Sequence, residues 1–247
     1  MSTNDGDIEI RTLSTAEEMV DVVDVFQQVW GSPTELVRLE MLMAVAHSGG
    51  YVSAAYDTTR PGQQHGTILG ASLGILARHH DQPALHSHVT GLLPGIRHAG
   101  IGRTLKMHQR SWAADRDIDW IVWTFDPLVR RNAWFNIAVL GADVAEYLPS
   151  FYGKMTDAIN AGDESDRLLI AWDVHGELPS TPRDGSGVTK AQLVPTPEDI
   201  VALRRTDPDA VAEWRATTRE ALTSALEAGR PILGFTRTGD YVIGERG

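Results

Sequence analysis

The sequence predicts an α/β (α+β) protein, with short β-prone runs and amphipathic helical stretches in the order β-α-α-β-β-β-α-β-α-β-β. Three observations predict it. Runs such as "YVSAAY", "TILGASLGIL" and "WIVWTF" are rich in β-branched and aromatic residues; apolar residues recur at helical spacing between them; clusters of Gly, Pro, Asp and Ser separate the two kinds of segment.

Each element has its own signal. "IEIRTL" at 8–13 alternates like a strand. Ser14 or Thr15 followed by Glu17 and Glu18 marks a helix start, and Met19, Val22, Val23, Phe26 and Trp30 then recur at helical spacing. "SPTELVRLEMLMAVAH" reads as a second helix closed by Gly49 and Gly50. "YVSAAY" and "TILGASLGIL" read as hairpin partners across the loop "DTTRPGQQHG", and "ALHSHVTGLLP" as the next strand. After a glycine-rich turn, 101–112 carries apolar residues at loosely helical spacing with Arg103, Lys106 and Arg110 between them. "DWIVWTF" is strongly β-prone. A helix over 128–140, a bend at Gly141, and "DRLLIAWDV" as a last core strand complete the series.

The glycine turn asks for an anion. Gly100 and Gly102 have no Cβ, so the chain can curl tightly and a ligand can approach its N–H groups. The helix that follows offers unpaired N–H donors and a partial positive charge, a combination suited to phosphate. Two known phosphate loops do not fit. A Walker A loop would need a lysine where Ile101 stands, and a G-x-G-x-x-G fingerprint begun at Gly100 would need a glycine where Leu105 stands.

What fits is [QR]-x-x-G-x-[GA], with Arg97, Gly100 and Gly102 in place between a strand and a helix. This resembles the coenzyme A pyrophosphate loop of the GNAT N-acyltransferase superfamily. The element order over 8–174 is similar to that of the GNAT fold, a mixed central sheet flanked by helices. "NAWFNIAVLGA" at 132–142 supplies Ala133, Leu140 and Gly141 in the register of its second motif block. "WTFDPL", "RNAWFN" and "FYG" resemble a bacterial acetyltransferase branch that includes N-succinyltransferase-like members.

The resemblance implies acetyl-CoA or succinyl-CoA as acyl donor and a small-molecule amine, such as an amino acid, as acceptor. It implies that backbone N–H groups at Leu92 or Leu93 hold the thioester oxygen. It also implies that Arg97, His98, Ala99, Gly100, Ile101, Gly102 and Arg103 hold the pyrophosphate, with Asn132 and Asn136 as further CoA contacts. One departure stands out. Many family members place a tyrosine, thought to protonate the leaving thiolate, where this chain has Ile137. A CoA-binding sensor or interaction module on the same fold is the alternative that this departure permits.

Residue chemistry adds candidates for proton transfer. His86 and His88 are two apart on one strand, hence on one face, and histidine titrates near neutral pH. Asp126 sits where a strand runs out into "DPL", a place where acceptors are met in α/β proteins and equally an Asp-Pro turn. Arg130 and Arg131 could receive a carboxylate. H-x-H also suits a metal, but no accompanying ligand pattern supports one, so no metal is expected.

Bulk properties exclude several classes. A net charge of −11 argues against nucleic acid as partner. With no cysteine there is no thiolate nucleophile, disulfide or Cys-ligated zinc. The absence of a basic and apolar leader pattern and of any 18-residue apolar stretch leads to the expectation of a cytoplasmic protein without membrane association.

The expected organisation is a catalytic core over 1–175, a Pro/Gly/Ser-rich linker or surface loop over 176–191, and a helix-helix-hairpin extension over 192–247. In that extension Thr196 is expected to cap a helix opened by Pro197, and Asp207, Pro208 and Asp209 repeat the device. An exposed apolar hairpin with Ile232, Leu233, Phe235, Tyr241, Val242 and Ile243 leads to the expectation of a homodimer.

Overall fold

A computed structural model describes residues 8–31, 35–59, 66–96, 100–153 and 163–245. The chain forms two compact units, residues 1–121 and 122–247.

The first unit contains β1 (Ile8–Thr12), α1 (Ala16–Trp30), α2 (Leu39–His47), β2 (Tyr51–Asp57), β3 (Thr67–His79), β4 (Gln82–Leu92) and α3 (Ile101–Ala114). Its strands pair in sequence order, each antiparallel to the next. The capping box expected at the start of α1 forms: Thr15 Oγ1 accepts the Glu18 N–H, and the Glu18 carboxylate accepts the Thr15 N–H at 3.1 Å. Met19, Val22 and Phe26 of α1 and Leu42 of α2 bury one face of the sheet against Val52, Ala54, Leu73 and Val89. On the other face, Ile101 and Leu105 of α3 pack on Ala55 and Leu69. Strand alternation separates the two cores, since Ala54 and Ala55 point opposite ways.

β4 carries the irregularity that matters. Its register with β3 steps from Leu73↔Val89 to Gly74↔Ser87, so His88 is the inserted residue of a β-bulge. Such an insertion bends the strand and re-aims its side chains.

β5 (Trp120–Phe125) crosses the boundary between the units. The second unit continues with α4 (Arg130–Ala133), β6 (Asp143–Leu148), β7 (Arg167–Asp173), β8 (Gln192–Pro195), α5 (Ile200–Thr206), α6 (Pro208–Glu227), β9 (Ile232–Phe235) and β10 (Asp240–Ile243). The helix expected over 128–140 is shorter and of two kinds, since α4 passes into a π-helical stretch over Trp134–Val139. Strand order is β5-β7-β6 in one part and β8-β10-β9 in the other.

Two expectations for the C-terminal segment are corrected. β8, which the sequence did not signal, pairs with β10 and puts it in the middle of a three-stranded sheet. Ile232, Phe235, Tyr241, Val242 and Ile243 are buried in consequence, and Leu233 is half-buried. The exposed hairpin that suggested a homodimer is therefore absent. Second, Thr196 caps nothing: its hydroxyl donates to Gly239 O at 2.7 Å, and Asp199 is the N-cap of α5. The Asp207 cap of α6 forms as expected, its carboxylate accepting the Ala210 N–H at 3.0 Å. Residues 176–191 hold no helix or strand, and Arg183 anchors them: its N–H donates to Ala138 O and its O accepts the Phe235 N–H, both at 3.0 Å.

Candidate active site

The cradle lies wholly in the first unit, between β4 and α3. Gly95 turns the chain with φ +82°, and Gly100 caps α3 with φ +105°. Both values lie where glycine alone is unstrained. A Cβ at either position would meet no atom of the described residues within 4 Å. The helix has no side-chain cap. Its first internal bond runs from Thr104 N–H to Gly100 O at 2.9 Å, so the N–H groups of Ile101, Gly102 and Arg103 stand ahead of the ladder. Ile101, 3% exposed, is clamped in the apolar cluster beside Leu92 and Ile96, which fixes where those donors stand. Arg103 is exposed, while Arg97, His98 and Ala99 lie outside the described residues.

Of the two proposed donors to a thioester oxygen, one is taken. Leu93 N–H donates to Leu69 O at 2.9 Å, within the β3–β4 pairing. N–H directions alternate along a strand, so the Leu92 N–H points to the other edge of β4. Leu93 is thereby ruled out as that donor, and Leu92 remains the candidate.

His86 and His88 come together as expected, with ring centroids 5.9 Å apart. Burial lowers the pKa of both below the usual histidine value, and the His86 imidazole is lowered further by His88 and Lys106. Both rings are therefore neutral at pH 7, the form that accepts a proton. His86 pairs with Ile75 and Ser87 with Gly74, so the His86 and Ser87 side chains leave the sheet on opposite faces.

Behind Ser87 lies a group that sequence spacing missed. Lys106 was placed among the polar residues of its helix, yet it is 4% exposed and points inward. Its ammonium donates to Ser87 Oγ at 3.0 Å and to Gln109 Oε1 at 2.9 Å. Gln109 Nε2 reaches Ser72 Oγ at 3.4 Å, and Ser72 shares a hydrogen bond of 2.8 Å with Thr90. Burial pulls the Lys106 amine down to about 7. The available signal was weak: Lys106 and Gln109 stand beside Leu105, Trp112 and Ala113 on the buried stripe of α3.

Asp126, Asn132 and Asn136 belong to the second unit. Asp126 is corrected from proton acceptor to structural anion. It is 7% exposed, and Arg215 grips it with two donors, Nη1 to Oδ1 at 2.9 Å and Nη2 to Oδ2 at 3.2 Å. Arg204 Nη2 bonds the same carboxylate, and Leu128 N–H donates to Oδ1 at 2.9 Å. Burial alone would raise its pKa; Arg215, then Arg204 and the Leu128 N–H, overcome this and hold it below the usual range. Asp163 completes the set, accepting from Arg204 Nε at 2.9 Å and Arg215 Nε at 3.2 Å. Its signal was an arginine on the buried stripe of an amphipathic helix, Val211-Arg215-Thr218-Leu222.

Asn132 is half-buried on α4, Asn136 is buried in the π-helical stretch, and Ile137 beside it is 1% exposed. Arg130 is occupied rather than open to a carboxylate, with Nε on Thr196 O at 3.2 Å and on Thr196 Oγ1 at 3.1 Å. Among the described residues no group of three or more His, Cys, Asp or Glu is arranged to hold a metal ion. Nor is any described helix long and apolar enough to cross a membrane.

No protein-family model matches the chain, and no curated protein matches it in sequence. Solved structures do. Arabidopsis thaliana NAA60 bound to a bisubstrate analogue is similar at TM-score 0.53 and 12% identity, over 69% of this chain and 99% of that one. The ribosomal-protein-S5-alanine acetyltransferase of Vibrio fischeri is similar at TM-score 0.52 and 15% identity, over 70% and 96%. A Desulfovibrio desulfuricans protein assigned to the GNAT family is similar at TM-score 0.51 and 15% identity, over 68% and 99%. Identities this low carry the architecture rather than the substrate. The chain has the fold of the GNAT acetyltransferases.

Proposed function

We propose that this chain is an acyl-CoA-dependent N-acyltransferase that moves an acetyl or succinyl group from CoA to the amine of a small molecule, an amino acid being the first class to try. The observation that carries the reading is the cradle between β4 and α3: an uncapped helix entered through a left-handed glycine and anchored behind by Ile101. That arrangement suits a pyrophosphate. The fold supports the same reading.

The chemistry then follows from residues of the first unit. The N–H groups of residues 101–103 bind the pyrophosphate, and Arg103 adds local positive charge in an acidic protein. The Leu92 N–H donates to the thioester oxygen as negative charge develops there. The amine nitrogen attacks the carbonyl carbon, the C–S bond breaks, and the electron pair leaves on sulfur as thiolate. Neutral His86 or His88 takes the proton that the amine must lose, directly or through water. No acyl-enzyme is needed.

Calorimetric titration with CoA, acetyl-CoA and succinyl-CoA tests the reading. Micromolar binding, worth about 8 kcal/mol, is the expected result. The tighter thioester then goes into a thiol-release assay against D- and L-amino acids. Absence of binding to all three overturns the reading. Ile137, buried where a tyrosine is usual in the family, favours a second reading as a CoA sensor. Micromolar binding with no turnover on any amine would select it.

A further inference from the structure

Gly91 is the residue just before Leu92, and it has no room for a side chain. A Cβ there would come within 2.8 Å of Trp30 Cζ3, 2.9 Å of Trp30 Cη2 and 2.9 Å of Val29 Cγ1. The six-membered edge of the Trp30 indole therefore lies directly on the backbone of β4. A glycine inside a strand gives up packing, and here it makes way for the close approach of that ring.

The ring is held in place without being sealed off. Phe26 meets it edge to face, with centroids 6.0 Å apart and planes at 77°. Val29, Trp30 and Leu93 all pack against the core beneath α1, yet each of the three is only half-buried. α1 ends at Trp30, and Gly31 closes it with φ +58°. The result is a small apolar surface around Gly91, partly open to solvent.

That surface shares a face of β4 with the candidate bases. Val89 packs with Leu73 among the residues of α1 and α2, and strand alternation puts Gly91 on the same side. Ser87 bonds Lys106 of α3, so His86, which leaves the sheet on the face opposite Ser87, also lies on the side of α1 and α2. His88 stays close to it, with ring centroids 5.9 Å apart.

We propose that Trp30 is the acceptor-selecting residue of the site: its indole, with Val29 and Leu93, takes the apolar substituent of the attacking amine, so that the acceptor is an amino acid with an aliphatic or aromatic side chain. The inference rests on the acyl-CoA reading given above. With the thioester oxygen on the Leu92 N–H and the proton going to His86 or His88, the amine enters between those positions, beside Gly91. The rest of the acceptor then lies against what covers that glycine. An apolar side chain gains there by leaving water. A carboxylate or carboxamide side chain would lose hydration against a ring and two aliphatic groups.

The test is calorimetric titration of amino acids into the whole chain saturated with CoA, followed by steady-state rates with the preferred thioester. Wild type should bind leucine and phenylalanine about tenfold or more tightly than glycine and aspartate. Trp30→Ala should erase that difference and raise KM for leucine and phenylalanine about tenfold, with kcat, the glycine KM and CoA affinity held within about twofold. Trp30→Phe should keep the preference. Trp30→Gln serves in place of the alanine variant if that one does not fold. A wild type without preference for apolar acceptors overturns the inference and leaves the acyl-CoA reading standing. So does a Trp30→Ala that weakens every acceptor and CoA alike, which is what a purely structural role would give. Wild type that binds CoA but neither binds nor acylates any amino acid overturns the inference and leaves only the sensor reading. No CoA binding by wild type removes every reading at once.

Discussion

Arg215 lies across Asp126 as a two-pronged ion pair, Nη1 on Oδ1 at 2.9 Å and Nη2 on Oδ2 at 3.2 Å, with both side chains almost wholly buried. It ties the end of β5 to α6. Removing one partner strands a buried charge, so Arg215→Ala should destabilise the protein by roughly 3–5 kcal/mol, read as a lowered urea midpoint. Arg204 shares both aspartates, so Arg204→Ala with Arg215→Ala should cost less than the sum of the single changes.

The same carboxylate sets an acid limit. Arg215 and Arg204 hold its folded pKa below the usual aspartate range, so the unfolded chain binds the proton more readily than the folded one. Its stabilisation is therefore present above about pH 4 and lost as pH falls below it. Asp126→Asn should flatten that part of the stability curve. If the variant keeps its fold, its activity should stay near wild type, because the carboxylate is already committed to arginines.

Lys106 predicts a slope of the same sign at higher pH. Its folded pKa is about 7, against about 10.4 unfolded, so the unfolded chain binds more protons between the two values. Stability should rise with pH across that window by up to about 1.4 kcal/mol per unit from this group alone. Denaturant melts at pH 7, 8 and 9 should show the rise in wild type and its loss in Lys106→Met.

Gly100→Ala should separate folding from binding. The added Cβ meets no neighbour among the described residues within 4 Å, but φ of +105° strains alanine by about 1–2 kcal/mol. A modest fall in melting temperature is expected. CoA affinity should fall by more than tenfold, because the methyl group stands where the phosphate would approach; calorimetry reads it.

His86→Ala and His88→Ala test the base. Burial holds both imidazoles below the usual histidine range, so the acid limb of kcat/KM that reports the base should lie below that range. The variant that removes the base should lose this acid limb and about 100-fold in rate at pH 7, with CoA affinity unchanged.

Reading the chain by pattern works where the signal is local. The capping box of Thr15 and Glu18, the Asp207 cap and the order of elements through β7 all depend on residues within a few positions of one another. So does the glycine-lined mouth of α3, whose αL cap falls at Gly100. The cradle was legible for that reason. Asp126 was misread because the residues that neutralise it lie 78 and 89 positions further along.

Local chemistry in the sequence thus determined the helix starts, the strand runs and a turn suited to an anion, since backbone preference and capping act over one turn of chain. Only the tertiary structure decided which groups face inward and which are already satisfied. It buried Lys106, paired Leu93 with Leu69, covered the last hairpin with β8 and joined Asp126 to Arg204 and Arg215. Burial and long-range hydrogen bonding depend on what the fold brings opposite a residue, and that partner is set by topology rather than by neighbours in the chain.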